Sequence, residues 1–234
     1  MTDFLPRKRR ISLKKRLFCG TVPDENLEFG MAETLIFVRH GSLPSECANS
    51  FVGVHEVDLS AEGRADAAAV GRWLARQKYE KVFSGTLLRV RRTREIASEF
   101  DPRLREFSAD ERLNELDFGD WSLLKFDLLK QQYGSDFEQW NMGMAEFTFP
   151  NGENIGHFIR RTRAVMEDLI RCDAETVVVF SHGGVLMSLI ADVVGLPRKD
   201  VFRIWLERGG IAVIRHGKDG SPRLTSMFRP ADFE

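Results

Sequence analysis

Two short stretches hold residues whose types and spacing could do chemistry together. Leu35-Ile-Phe-Val-Arg39-His40-Gly41 is an apolar run that stops at an arginine, a histidine and a glycine, and Val177-Val-Val-Phe-Ser181-His182-Gly183-Gly184 repeats the pattern. Neutral imidazole is a competent nucleophile near neutral pH. An arginine beside it offers a planar, permanently charged fork for two oxygens of an anion. Gly41 and Gly183 carry no side chain, so a following backbone N–H can approach a ligand closely. A tetrahedral dianion such as phosphate would satisfy several of these donors at once, whereas an apolar ligand would leave them buried and unpaired. The chain has neither a Walker-type lysine loop nor a metal-ligand cluster. The expected chemistry is therefore a phosphate gripped by side chains and attacked by one histidine, with an acid still needed to protonate the leaving oxygen. His55, His157 and His216 lack such company and read as structural hydrogen bonders.

The elements that must position these residues follow from periodicity. Residues 34–39 and 176–180 are short, apolar and rich in β-branched or aromatic types, as strands buried on both faces are. Ser60 is a good N-cap for a helix over 60–77, and further helices are expected over about 87–100, near 124–132, over 155–171 and over Val185–Val194, the last ended by Gly195 and Pro197. Lys81–Ser84 is a short strand candidate. Ile211–Arg215 and Arg223–Phe228 read as closing strands joined by a turn at Lys218-Asp219-Gly220. Strand alternating with helix over about 200 residues predicts an α/β domain with a mainly parallel sheet. In such sheets ligands bind where strands reach their carboxyl ends, so His40 and His182 are expected to face one crevice.

Composition sets the limits. The 234 residues are 43% hydrophobic and 29% charged with a formal net charge of −1, which is globular composition. No apolar run approaches the roughly 18 residues of a membrane span. Residues 7–16 carry seven Lys/Arg, and residues 1–30 hold four acids (Asp3, Asp24, Glu25, Glu28), so this segment has net charge +3 and the remainder −4. We read residues 1–30 as a solvated basic arm and residues 31–234 as one domain. Contact of the arm with nucleic acid or an anionic membrane is the weaker alternative. Cys19, Cys47 and Cys172 are too few and too scattered for a disulfide framework or a zinc site, which fits reduced thiols in the cytoplasm. Phe118, Trp121, Phe126 and Trp140 could line a pocket for an aromatic substrate but read better as core.

These stretches belong to an ordered set of four. The opening LIFVRHG resembles the signature strand and nucleophile loop of the histidine phosphatase superfamily, also called phosphoglycerate mutase-like. Ser84-Gly-Thr-Leu-Leu-Arg89-Val-Arg-Arg-Thr93 resembles its second block, Leu113-Asn-Glu115-Leu-Asp-Phe-Gly119-Asp-Trp121 its third, and Val178-Val-Phe-Ser-His182-Gly-Gly its last, over about residues 33–216. The resemblance implies a three-layer α/β/α sandwich and a metal-independent, cofactor-free phosphatase of small-molecule phosphate monoesters. It implies His40 as nucleophile, Arg39, Arg89 and a protonated His182 on the phosphate oxygens, and Glu115 as proton donor, with Gly41 and Gly183 beside the phosphate. The loop Phe51–Ser60 with Gly63, and Gly195-Leu-Pro197, look most like α-ribazole phosphatase-like members, which makes α-ribazole 5′-phosphate of cobalamin synthesis a candidate substrate. The chain departs from the family at Ser42-Leu43-Pro44, Gly85-Thr86, Arg92, Ser122-Leu123 and Glu153-Asn154, and these departures bear on substrate choice. Phosphoglycerate mutase-type transfer is the nearest rival. The length argues against it, since about 204 residues remain without the arm and that branch is expected to carry extra segments. A non-catalytic phosphate-ester-binding module is a second rival. Oligomeric state is open, a homodimer included.

Overall fold

The computed structural model describes residues 31–141, 146–217 and 221–233. The basic arm and the turn at 218–220 lie outside these. Six strands form one sheet: β1 (Thr34–Arg39), β2 (Lys81–Ser84), β3 (Ser108–Ala109), β4 (Thr176–Ser181), β5 (Ile211–His216) and β6 (Pro222–Phe228), in the order β3-β2-β4-β1-β5-β6. The four strands from β3 to β1 run parallel, and β5 and β6 close the sheet antiparallel. Helices are α1 (Ala61–Leu74), α2 (Leu88–Ala97), α3 (Phe126–Gln132), α4 (Gly134–Asn141), α5 (Ile155–Ile170) and α6 (Gly183–Val194).

Strand alternation sorts side chains into two cores. Leu35 and Phe37 of β1, Val177 and Val179 of β4, and Ala212 and Ile214 of β5 pack with Val165, Leu169, Leu186 and Leu189 from α5 and α6. Their neighbours Ile36, Val38, Val178, Phe180, Ile211 and Val213 face Val70 and Leu74 of α1 and Val90 and Ala97 of α2. Helices on both faces explain why these strands read as continuous apolar runs, and they make the three-layer α/β/α sandwich.

Caps set the helix ends. Ser60 Oγ accepts from Gly63 N over 3.0 Å at the start of α1, and the Asn154 side chain accepts from His157 N over 3.1 Å at the start of α5. Gly195 ends α6 in the left-handed region at φ 69°. The helices expected over 60–77 and 87–100 stop earlier, at Leu74 and Ala97. In the second case Ser98 turns its hydroxyl onto Glu95 O at 2.6 Å, and Asp101 opens a 3-10 turn with Pro102.

The register aligns the chemistry. Arg39 pairs with Ser181 and Ser84 with Phe180, so the carboxyl ends of β1, β2 and β4 terminate side by side. Trp121 and Phe118 are buried core, as their pattern suggests, whereas Phe126 is 36% exposed and rests against Phe51 with ring centroids 4.9 Å apart.

Candidate active site

His40 follows β1 immediately and is fixed by its backbone: its N–H donates to Ser181 O over 3.1 Å, and its carbonyl accepts from Gly209 N over 2.8 Å. Its Nδ1 lies 2.8 Å from Gly41 O. A carbonyl can only accept, so Nδ1 carries the proton and Nε2 presents its lone pair. Burial, with the charges of Arg89 and Arg39 behind it, holds the imidazole well below its ordinary pKa of 6.5. The ring is neutral with Nε2 available, which is the state a nucleophile requires.

His182 caps the start of α6 at the end of β4. Its ring centroid lies 5.4 Å from that of His40, it is fully buried, and neither ring nitrogen has a hydrogen-bond partner among the described residues. Two orphaned nitrogens at this depth are costly unless a ligand engages them. The expectation of a protonated His182 differs from what the protein groups alone dictate. Burial first, then Arg89, His40 and Arg39, push its pKa well below 6.5. Its neutral ring can still donate one hydrogen bond, and a bound dianion would oppose the surrounding positive charge.

Two arginines complete the cationic wall. Arg89, in the first turn of α2, is 1% exposed; its Nη1 donates to His55 O at 2.9 Å and its Nη2 to Gly53 O at 2.6 Å, while Nε is unpaired. Arg39 Nη1 donates to Leu206 O at 2.5 Å, and its Nε is likewise unpaired. Burial foremost lowers both pKa values to about 10, with Arg208 the next cause for Arg39 and Glu115 partly opposing the shift for Arg89. Both guanidinium groups therefore remain charged at neutral pH. The amino end of α6, twelve residues long, adds its positive dipole end at His182 and Gly183.

Glu115 arrives from the irregular segment after β3. Leu116 N donates to its Oε1 over 3.1 Å and Gly184 N to its Oε2 over 3.0 Å, so the carboxyl group rests on the start of α6. Arg39, His40, Arg89, Glu115 and His182, expected from sequence as one constellation, come from four separate segments of the chain, and their charges act on one another.

The two expected glycines have a further role. A Cβ on Gly41 would stand 2.3 Å from Gly63 O, and one on Gly183 would stand 2.8 Å from Arg39 Cζ, so both make room for the protein's own groups. Gly41 N donates to Thr93 Oγ1 over 3.0 Å and Thr93 Oγ1 donates to Arg89 O over 2.7 Å, tying the histidine loop to the arginine helix. Ser42, at a departure from the family pattern, directs both its N–H (3.0 Å) and its Oγ (2.8 Å) onto Asp66 Oδ2, and Arg229 Nη2 lies 3.3 Å from Asp66 Oδ1.

Sequence reasoning missed a second layer. Arg161 of α5 forms a two-pronged ion pair with Glu153 (Nε–Oε1 2.7 Å, Nη2–Oε2 2.8 Å). The same guanidinium donates to Arg112 O and Asn114 O, both at 2.8 Å, and to Glu115 O at 3.1 Å. Eight positions separate Glu153 from Arg161 across a helix start, a spacing that carries no local signature. The turn Leu206–Gly210 was missed for the same reason. Among the described residues no group of three His, Cys, Asp or Glu side chains is placed to hold a metal, and no helix is long and apolar enough to cross a membrane.

Paired histidines and buried arginines at the carboxyl edge of a parallel sheet define an enzyme of phosphoryl chemistry. The family model of the histidine phosphatase superfamily (branch 1) matches residues 35–228, and the chain belongs to that family, whose members include phosphatases and mutases. A 2,3-bisphosphoglycerate-dependent phosphoglycerate mutase of Bartonella tribocorum is 29% identical over 214 residues, covering 86% of this chain and all of that protein. The α-ribazole phosphatase of Shigella flexneri superimposes with TM-score 0.73 at 23% identity, covering 84% of this chain and 96% of that one. A mycobacterial glucosyl-3-phosphoglycerate phosphatase superimposes with TM-score 0.70 at 22% identity, over 83% and 98% of the two chains. At these identities the structural likenesses speak for the fold. The Bartonella match removes the length argument against a mutase, because that mutase is spanned end to end by part of this chain.

Proposed function

We propose that this protein is a phosphatase that hydrolyses a small phosphate monoester through a phosphohistidine on His40, without a metal in the mechanism. The observation that carries this reading is the pairing of a neutral His40, its Nε2 free, with the partnerless nitrogens of His182 5.4 Å away between ring centroids. In the first step His40 Nε2 attacks phosphorus and the bond to the leaving oxygen breaks. Arg39, Arg89 and His182 stabilise the charge on the three equatorial oxygens. Glu115 gives its proton to the departing alkoxide. In the second step water attacks the phosphohistidine, Glu115 takes the water proton, the P–N bond breaks and inorganic phosphate leaves with His40 neutral again. α-Ribazole 5′-phosphate is the candidate ester that the sequence resemblance brings forward. The deciding experiment is phosphate release from a panel of α-ribazole 5′-phosphate, phosphoglycerates, sugar phosphates and nucleotides. His40→Ala should abolish release and the acid-labile phosphoenzyme, and retention of more than a few per cent of activity would remove His40 as nucleophile.

Mutase-type transfer is a second reading, supported by the full-length match to the Bartonella mutase. With 3-phosphoglycerate as substrate, conversion to 2-phosphoglycerate without net phosphate release would select it over hydrolysis.

A further inference from the structure

The turn Leu206–Gly210 is fastened to the nucleophile segment at three points. Leu206 O accepts from Arg39 Nη1 (2.5 Å), Gly210 O from Arg39 N (3.0 Å), and Gly209 N donates to His40 O (2.8 Å). Gly209 takes φ 69°, and a Cβ there would stand 2.6 Å from the Asp66 Cβ, so the turn is seated against the buried Asp66. Between these fixings stands Arg208. It is half-buried, and it makes no hydrogen bond or ion pair among the described residues. Its charge acts on Arg39, His40 and Arg89, and the turn that carries it is bonded to Arg39 and His40, so it stands beside the site.

Glu115 and Glu207 offset the positive charge at Arg39, but neither forms a hydrogen bond or ion pair with Arg208, whose donors are open to an anion. The transferring phosphoryl group already has Arg39, Arg89 and His182 for its three equatorial oxygens. Arg208 therefore has donors to offer to something else. Three positions before it Trp205 is 54% exposed, with its ring centroid 5.4 Å from Arg39 Cζ, and offers a flat apolar face beside that arginine.

We propose that Arg208 is a binding residue for a second anionic group, a carboxylate or a second phosphate, carried by the alcohol half of the substrate. The inference rests on the phosphatase reading above and narrows it to esters whose leaving group is itself charged. A guanidinium held on a turn whose backbone is fixed to Arg39 and His40 keeps a set distance from the nucleophile, so it reads where on the leaving group the second charge lies.

The test uses the full chain, with competitive inhibition of p-nitrophenyl phosphate hydrolysis as readout. The probes are 3-phosphoglycerate, its uncharged-alcohol counterpart glycerol 1-phosphate, and fructose 1,6-bisphosphate. The wild type should bind at least one of the two doubly anionic esters tenfold or more tighter than glycerol 1-phosphate. Which ester gains tells a carboxylate from a phosphate. Arg208→Gln, with its melting temperature checked against wild type, should bring that ratio close to one. A wild-type ratio near one, a ratio that Arg208→Gln leaves in place, or an equal loss for all three probes overturns the assignment. Absence of wild-type p-nitrophenyl phosphate turnover overturns the phosphatase reading instead, which keeps the two failures distinguishable.

Discussion

Glu115 is held on the first turn of α6 by Gly184: the Gly184 N–H donates to Oε2 over 3.0 Å, and a Cβ added to Gly184 would stand 2.4 Å from Oε1. Ordinary Cβ contacts do not approach that closely, so Gly184→Ala must displace the carboxyl group while leaving the helix, for which alanine is the better former. Misplacement of a catalytic group by about 1 Å costs about 10²-fold. We expect kcat on alkyl phosphates to fall by about that factor in Gly184→Ala, and far less on p-nitrophenyl phosphate, whose leaving group needs no proton. Steady-state kinetics on the two esters, with a melting curve near wild type, checks this. Equal losses on both would mean that Gly184 matters for something other than the acid.

Glu115→Ala is the direct counterpart. General acid catalysis contributes about 10²–10⁴-fold, and that range is the loss expected for alkyl esters, against a small loss for p-nitrophenyl phosphate. Single-turnover measurements of the first step on the two esters separate this effect from slower dephosphorylation. The same loss on both would remove Glu115 as the acid.

Much of this arrangement was legible in the chain because its carriers are local. Leu35–Gly41 and Val177–Gly184 each combine a buried strand with its terminal chemistry, and strand periodicity shows the one while residue type shows the other. Arg89 and Glu115 were legible only through resemblance, since nothing in their own neighbourhoods marks them. What stayed hidden depends on contacts between distant segments. Thr93 bridges Gly41 N and Arg89 O, Asp66 gathers Ser42 and Arg229 from 24 positions before it and far after, and Arg161 grips carbonyls 46 to 49 positions away. The short β3 strand and α4 went unseen for another reason: two residues, or a helix opened by glycine, give periodicity too little to work on.

Arg161 is expected to be a positioning residue. Its guanidinium joins Glu153 to the backbone of residues 112, 114 and 115, and both side chains are largely buried, at 15% and 12% exposure. Removing one partner of such a pair leaves the other charge uncompensated and costs about 3 kcal/mol. Arg161→Ala should therefore lower stability by about that much in urea unfolding and shift the Glu115 segment. A purely structural role predicts equal activity losses on all esters. A positioning role predicts a larger loss on alkyl phosphates than on p-nitrophenyl phosphate, partly rescued by Arg161→Lys, which keeps the charge.

The last prediction concerns pH and stability. In the folded protein His40 and His182 are held neutral, with pKa values well below 6.5, burial being the main cause and Arg89 the next. His216 shifts the same way through burial. Unfolding returns each to its ordinary value, so below about pH 6.5 the unfolded chain binds protons that the folded one refuses. Their contribution is therefore present in full above pH 6.5 and is lost as pH falls from there toward the depressed folded values. Each histidine adds a slope of about 1.4 kcal/mol per pH unit, so the buried pair gives about 3. Asp101, Asp110 and Glu153, whose pKa values are lowered, have the same sign but act only in the carboxylate range, below about pH 4.5. Urea unfolding at pH 7.5, 6.5 and 5.5 should thus show stability level between the first two and falling between the last two. A His182→Asn variant should lose roughly half of the pair's slope. Inorganic phosphate, placing negative charge between the rings, should protect more at pH 5.5 than at 7.5, and a flat profile would mean that the two rings are not neutral in the fold.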